Sequence, residues 1–104
     1  MRVLITGVTG FAGGYLSSYC AALGHEVHGL VRPGREGAVP SGVLPHAAEL
    51  GDPASVADVL RTAAPERIVH LAGASSVGRS FAEPLATWEV NLGGTLGLLE
   101  ALRT

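Results

Sequence analysis

The stretch LITGVTGFAGGYL, residues 4–16, joins a short apolar run to a helical pattern through three glycines spaced three apart. Gly7, Gly10 and Gly13 stand where the helix should begin, although glycine is the poorest ordinary residue for a helix interior. Dinucleotide-binding turns have the same order of strand, glycine-rich turn and helix, usually with the spacing G-x-G-x-x-G. Here the gap between the first two glycines is one residue longer. We therefore judge whether this is a dinucleotide-binding turn from what such a turn physically requires of its glycines.

Such a turn has three physical requirements, and each accounts for one of the three glycines. One allows a tight turn with positive φ, one lets a diphosphate approach the backbone, and one lets the helix pack closely on the strand. The free amides and partial positive charge of the helix N-terminus then face the phosphates. We predict phosphate binding here; the alternative is a glycine-rich turn without a ligand. The hydroxyls of Thr6 and Thr9 either add hydrogen bonds or only brace the turn.

Outward from this turn, strands alternate with helices. RVLIT, EVHGLV and RIVHLAG are typical of buried strands, and VLPHAAEL of a short strand weakened by its proline. Gly24 marks the end of the first helix, Asp52 with Pro53 the start of the second, and Pro65 its end. The alternation predicts an α/β fold with a Rossmann-like, doubly wound parallel sheet. Residues 1–104 would form its N-terminal part, about four strands with flanking helices.

Composition excludes several classes of function. The net charge of −2, with seven arginines and no lysine, argues against a nucleic-acid partner, and the missing lysine excludes an ATPase-type phosphate loop. The single cysteine, Cys20, indicates a reducing compartment, and no apolar stretch is long enough for a membrane span, so we expect a soluble, cytoplasmic chain. No metal site is predicted from the histidines; His70 is interpreted as a hydrogen-bonded core residue. Phe11, Phe81 and Trp88 are expected to pack.

Four stretches together resemble the extended short-chain dehydrogenases/reductases, the NAD-dependent epimerases and dehydratases. TGVTGFAGG resembles their T-G-x-x-G-x-x-G turn, and ELGDPASV their D-x-x-D segment. IVHLAGASSV resembles H-L-A-A-x-x-S-V, and VNLGGTLGLLEA resembles V-N-x-x-G-T-x-x-L-L-E-A. GHEVHGLVRPG looks most like the GDP-mannose 4,6-dehydratases and their GDP-sugar reductase relatives. The resemblance covers essentially the whole chain.

The resemblance implies a cofactor site made of several segments. The diphosphate turn would be lined by Gly7, Thr9, Gly10, Phe11, Ala12 and Gly13. Members selective for NAD place an acidic residue at the end of the second strand; here Val31 stands there and Arg32 follows. A guanidinium binds a 2′-phosphate with paired hydrogen bonds, so Arg32, with Arg35, favours NADP over NAD. The alternative for Arg32 is a solvated loop arginine.

Further positions follow from the same resemblance. Glu49 replaces the aspartate that contacts the adenine amine, one methylene longer, and Leu50 would lie against the adenine ring. The backbone beside the nicotinamide ribose would come from Leu71, Ala72 and Gly73. Asn91 matches an asparagine near the cofactor; otherwise it is a surface or helix-distorting residue. Ser75 and Ser76 would face the substrate, or serve as hydrogen-bonded loop serines.

Catalysis in this family uses a Tyr-x-x-x-Lys pair with a Ser or Thr upstream. Tyr15 and Tyr19 both lie in the first helix, so no catalytic residue is predicted in residues 1–104, which alone would be inactive. The rest of the dinucleotide domain and the substrate domain would follow, in an enzyme that is homo-oligomeric when full length. The implied reaction is that of a nucleotide-sugar dehydratase: NADP takes a hydride from the sugar C4, water leaves C5–C6, and the hydride returns. The alternatives are a 4-epimerase or 4-keto reductase of this family, and, from another class, a non-catalytic NADP-binding regulator.

Overall fold

The computed structural model describes residues 1–72, 82–85 and 93–103, in which four parallel strands form one sheet in the order β3-β2-β1-β4. The strands are β1 (Arg2–Thr6), β2 (Glu26–Val31), β3 (Leu44–Ala47) and β4 (Arg67–His70). The described helices are α1 (Phe11–Ala22), α2 (Pro53–Ala63) and α3 (Gly94–Leu102), with a short 3-10 turn at Glu36–Ala38. The predicted α/β class and Rossmann-like parallel sheet are confirmed.

The strands are apolar on both faces because helices cover both sides of the sheet. The cluster on the α1 side consists of buried valines and one isoleucine: Val3, Ile5, Val8, Val27, Val31 and Val43. The cluster beneath α2 and α3 consists of Leu4, Leu30, Ala48, Val56, Val59, Leu98 and Ala101. β1 contributes to both clusters by the ordinary alternation of a strand, so the turn that follows it starts from a rigid, central element.

The predicted helix boundaries are confirmed by their caps. Gly24 has a φ of 87°, and its amide donates to the Ala21 carbonyl at 3.0 Å, which ends α1. The Asp52 carboxylate accepts a hydrogen bond from the Ala54 amide at 3.2 Å, and Pro53 is the first residue of α2. α2 then ends two residues before the predicted proline break.

The doubtful third strand is present. β3 contains Pro45 and pairs with β2 alone in the described sheet, so it is an edge strand there. An edge is where a sheet tolerates a residue without an amide hydrogen. Among the described helices, none is long and apolar enough to cross a membrane.

α1 packs through small residues, contrary to what its large side chains suggest. Gly13 and Ser17 are its buried residues, whereas Tyr15 and Tyr19 are exposed. Phe11 is 84% exposed, so the prediction that it packs is wrong. Its ring contacts only the edge of the Tyr15 ring among the described aromatic groups, at 5.0 Å between centroids. The reason is the helical period: the face of α1 on the sheet consists of Gly13 and Ser17 with the half-buried Leu16 and Cys20, and Phe11 does not lie on that face.

Candidate dinucleotide-binding site

Gly7 makes the tight turn at the end of β1. Its φ is 69°, a conformation that residues with a side chain rarely adopt. Its carbonyl accepts the Gly10 amide at 3.0 Å. A Cβ at Gly7 would lie 2.7 Å from both the Ala72 nitrogen and the Leu71 carbonyl carbon, so the turn presses directly on the backbone that leaves β4.

Gly13 allows α1 to pack on that turn. A Cβ here would overlap the Gly7 carbonyl oxygen and lie 2.7 Å from the Val8 Cα. These neighbours are backbone atoms, which cannot rotate away. Gly7 and Gly13 are therefore both required by the fold, one for its φ and one for helix packing.

Gly10 is different, because the described part of the protein sets no φ requirement there and only a mild steric limit. Its φ of −81° and ψ of 175° are open to any residue. A Cβ would meet one described atom within 4 Å, the Gly7 carbonyl oxygen at 3.3 Å. Gly10 is exposed, and no other described atom lies over it within 4 Å. Of the three needs of such a turn, the one left for Gly10 is the close approach of a ligand.

The N-terminus of α1 presents amides without partners in the described part of the chain. Its first backbone hydrogen bond runs from the Gly14 amide to the Gly10 carbonyl at 2.9 Å. No side chain caps α1 and no acidic residue lies in its first turn. The amides of Phe11, Ala12 and Gly13 thus keep the unsatisfied hydrogens that any helix start leaves. Such a start favours an anion; Thr9, just before it, is exposed.

The Thr6 hydroxyl braces the exit of β4. Thr6 is fully buried, and its Oγ1 accepts the amides of Leu71 at 3.0 Å and Ala72 at 3.1 Å. The same oxygen lies 2.6 Å from His70 Nδ1, and His70 Nε2 lies 3.0 Å from Thr95 Oγ1 in α3. Burial lowers the pKa of His70, which favours its neutral form. His70 is therefore hydrogen-bonded at both nitrogens, as its place in an apolar strand suggests.

A second turn presents two arginines beyond β2. The Arg35 amide donates to the Arg32 carbonyl at 3.0 Å, and Gly34 between them has a φ of 90°, as a type II turn requires. Both arginines are exposed, and no carboxylate in the described part of the chain lies within ion-pair distance of either. The Glu36 carboxylate accepts the Gly34 amide at 2.7 Å. The two guanidinium groups are thus available for an anion.

The predicted adenine-contacting segment lies between β3 and α2. Glu49 is exposed. Leu50 is half-buried and packs against the α2/α3 cluster. A Cβ at Gly97 of α3 would overlap the Leu50 carbonyl oxygen, so Gly97 is a close-packing glycine that sequence reasoning missed. The only local feature that could have indicated this role is the spacing of Gly97, one helical turn after Gly93.

Four predicted site residues lie outside the described residues: Gly73, Ser75, Ser76 and Asn91. The expected packing residues Phe81 and Trp88 lie outside them as well. The described site residues lie together at the C-terminal ends of neighbouring strands. The glycine turn follows β1, the arginine turn follows β2, and Leu71–Ala72 follows β4. The strand order reverses between β1 and β4, where open parallel sheets bind ligands. In the described part of the chain, no cluster of side chains fits a metal ion.

Comparison with known proteins agrees with this architecture. The model of the GDP-mannose 4,6 dehydratase family matches residues 4–104. GDP-mannose 4,6-dehydratase sdnI of Sordaria araneosa is 38% identical over 95% of this chain and 19% of its own length. GDP-6-deoxy-D-mannose reductase of Pseudomonas aeruginosa is 36% identical over 98% of this chain and 29% of its own length.

A solved structure shares the fold. UDP-glucose 4-epimerase of Thermus thermophilus, in complex with NAD, matches with a TM-score of 0.87 and 39% identity, over 99% of this chain and 34% of that one. The chain thus spans about a fifth to a third of the length of these relatives. On its matched residues, the chain belongs to the GDP-mannose 4,6-dehydratase family, among the NAD-dependent epimerases and dehydratases of the extended short-chain dehydrogenase/reductase type.

Proposed function

We propose that residues 1–104 are the NADP-binding segment of a nucleotide-sugar dehydratase similar to the GDP-mannose 4,6-dehydratases. The observation that carries this proposal is Gly10, a glycine on which the described fold sets no φ requirement and only a mild steric limit, beside three amides without a described acceptor. A dinucleotide diphosphate accounts for both features. The similarity to an epimerase that was solved with NAD supports the same kind of ligand.

The choice of NADP rests on the turn after β2. Arg32 follows β2 directly, where a carboxylate would repel a 2′-phosphate, and Arg35 stands at the other end of the same hydrogen-bonded turn. Paired, charge-assisted hydrogen bonds from a guanidinium to a phosphate are among the stronger polar contacts. NAD is the alternative if these arginines remain solvated.

The residues of this chain would bind and orient the cofactor rather than move protons on the substrate. The amides of residues 11–13 would hold the diphosphate, Arg32 the 2′-phosphate, and Leu71 and Ala72 the nicotinamide side. Bound there, the nicotinamide would supply the acceptor and donor of a hydride. Substrate contacts by Ser75 and Ser76, assembly into a homo-oligomer, and a cytoplasmic location remain predictions.

The cofactor choice is tested by measuring the affinity for NADPH and NADH by calorimetry. Arg32→Ala should weaken NADPH binding by roughly tenfold or more, because a hydrogen bond to a charged group contributes about 1.5–3 kcal/mol, while NADH affinity stays within twofold. Arg103→Ala is the matched control, since Arg103 is an exposed arginine at the C-terminal end of α3, paired with Glu100 at 3.3 Å. An unchanged ratio of NADPH to NADH affinity in Arg32→Ala would remove the choice of NADP.

The reaction itself is tested on the complete gene product that carries this chain. GDP-mannose with NADP should yield a 4-keto-6-deoxy sugar nucleotide without net consumption of cofactor. Similarity to an epimerase and to a GDP-6-deoxy-D-mannose reductase supports the alternatives. A C4-epimerised product would indicate an epimerase. Stoichiometric use of NADPH on a 4-keto sugar would indicate a reductase. NADPH binding without turnover of any of these sugars would indicate a regulator.

A further inference from the structure

The Thr6 hydroxyl has all of its hydrogen-bonding capacity committed. A hydroxyl offers one donor and two acceptor lone pairs. Both lone pairs of Thr6 Oγ1 receive backbone amides, from Leu71 at 3.0 Å and Ala72 at 3.1 Å. The hydroxyl proton is therefore left for His70 Nδ1, 2.6 Å away. Thr6 can hold both amides only if His70 accepts that proton.

This arrangement assigns the state of His70. Since Nδ1 accepts, the ring is neutral and carries its proton on Nε2, which donates to Thr95 Oγ1 at 3.0 Å. The chain of hydrogen bonds links three elements that are far apart in sequence: β1, β4 and α3. Both described partners of the imidazole, from β1 and from α3, are uncharged hydroxyls.

The Thr6 hydroxyl holds a backbone segment that is tightly packed against the glycine turn. The backbone of Leu71 and Ala72 is so close to Gly7 that a Cβ there would lie 2.7 Å away. Thr6 and His70 are register partners at the last pair of β1 and β4. The Leu71 amide also reaches the Thr6 carbonyl at 3.2 Å, so the Ala72 amide is the one that depends on the hydroxyl. Loss of that bond would let the backbone at Ala72 move away from the glycine turn, at the point where the strand order reverses.

We infer that His70 is a positioning residue: by accepting the Thr6 proton it holds the Leu71–Ala72 backbone against Gly7, which shapes the β4 side of the dinucleotide site. This inference rests on the proposed function. A dinucleotide lies across the switch point with its halves on opposite sides. Because Arg32 marks the β2 side as the adenosine half, His70 should matter to the nicotinamide half alone.

The test compares two ligands: NADPH, which uses both halves, and 2′,5′-ADP, which uses only the adenosine half. His70→Gln places its amide near the Nε2 position and removes the acceptor for Thr6. It should weaken NADPH binding at least fivefold and leave 2′,5′-ADP within twofold. His70→Asn restores an acceptor near Nδ1, and Thr6→Ser keeps the hydroxyl; both should stay within twofold of the wild type for both ligands.

The pH dependence of ligand binding by the wild type tests the same role of His70, even if His70→Gln does not fold. Protonated His70 would turn Nδ1 into a donor, so Thr6 would have to release one amide to accept it. The affinity for NADP relative to 2′-AMP should therefore fall as the pH is lowered from 7.5 to 5.5. The 2′-phosphate is common to both ligands and is the only phosphate of either that titrates in this range, so its own titration cancels in this ratio.

Three results would overturn the inference. Equal loss of both ligands in His70→Gln would mean that the residue only stabilises the fold. Unchanged affinity for both, or a pH-independent ratio, would mean that the brace does not shape the site. Failure of the wild type to bind either ligand would instead overturn the proposed function.

Discussion

Gly13 and Gly14 are adjacent in α1, yet replacing each by alanine should have opposite effects on stability. A Cβ at Gly13 would overlap the Gly7 carbonyl oxygen and lie 2.7 Å from the Val8 Cα. A Cβ at Gly14 would meet no described atom within 4 Å. The pair is therefore a matched test of whether close packing on the turn, rather than helix propensity, explains the glycines.

The expected magnitudes follow from these contacts. Alanine in place of glycine favours a helix interior by about 0.8–1.0 kcal/mol, so Gly14→Ala should stabilise the protein by up to that amount. Gly13→Ala gains the same propensity but introduces an atom among backbone atoms that cannot move aside. Overpacking costs about 1–3 kcal/mol and occasionally more. Because the overlap is severe, we expect a net loss on the order of 2 kcal/mol.

Urea unfolding followed by circular dichroism measures both variants, with thermal melts as a second readout. A loss of 2 kcal/mol should lower Tm by roughly 10 °C in a domain of this size. Equal stabilisation by the two alanines would refute the reasoning, because it would show that α1 does not rest on the Gly7 carbonyl as the structure indicates.

Three further predictions concern the same region and the helix and strand that support it. Gly10→Ala should change the free energy of unfolding by less than about 1 kcal/mol, while lowering NADPH affinity at least tenfold; calorimetry that shows full affinity would leave Gly10 without a role. Asp52→Ala should destabilise the protein by about 1 kcal/mol in urea titrations, because it removes the cap of α2; unaltered stability would contradict this. Stability should also fall as the pH drops below about 6.5. Burial and the nearby charge of protonated His28 lower the pKa of His46, and burial lowers that of His70, so the unfolded chain takes up protons first. Urea titrations from pH 7.5 to 5 check this, and a flatter profile is expected for His46→Gln; a rise in stability on acidification would contradict it.

Local patterns predicted the strands and caps well. β1 and β2 span the predicted stretches RVLIT and EVHGLV, because a parallel strand buried on both faces is rich in consecutive apolar residues. Asp52 and Gly24 marked helix ends through side-chain and backbone geometry that involves only nearby residues. Such features are readable because their physical causes lie within a few residues.

Long-range packing could not be predicted from local sequence patterns in the same way. Phe11 and Tyr19 look like core residues by type, but the packing of α1 on the sheet decides which face is buried. That face carries Gly13, Ser17 and the half-buried Leu16 and Cys20. Likewise, the link between Thr6 and His70 joins residues 64 positions apart. It follows from the register of β1 with β4, which no local pattern specifies.

In the proposed function, the start of α1 receives the diphosphate of a dinucleotide. The most direct measurement is a titration of the 15N-labelled protein with NADPH, followed by the amide resonances in two-dimensional NMR spectra. The amides of Phe11, Ala12 and Gly13 should shift together and saturably, and Gly10→Val should abolish these shifts. Saturation with NADPH that leaves these three resonances in place, while others move, would contradict the account.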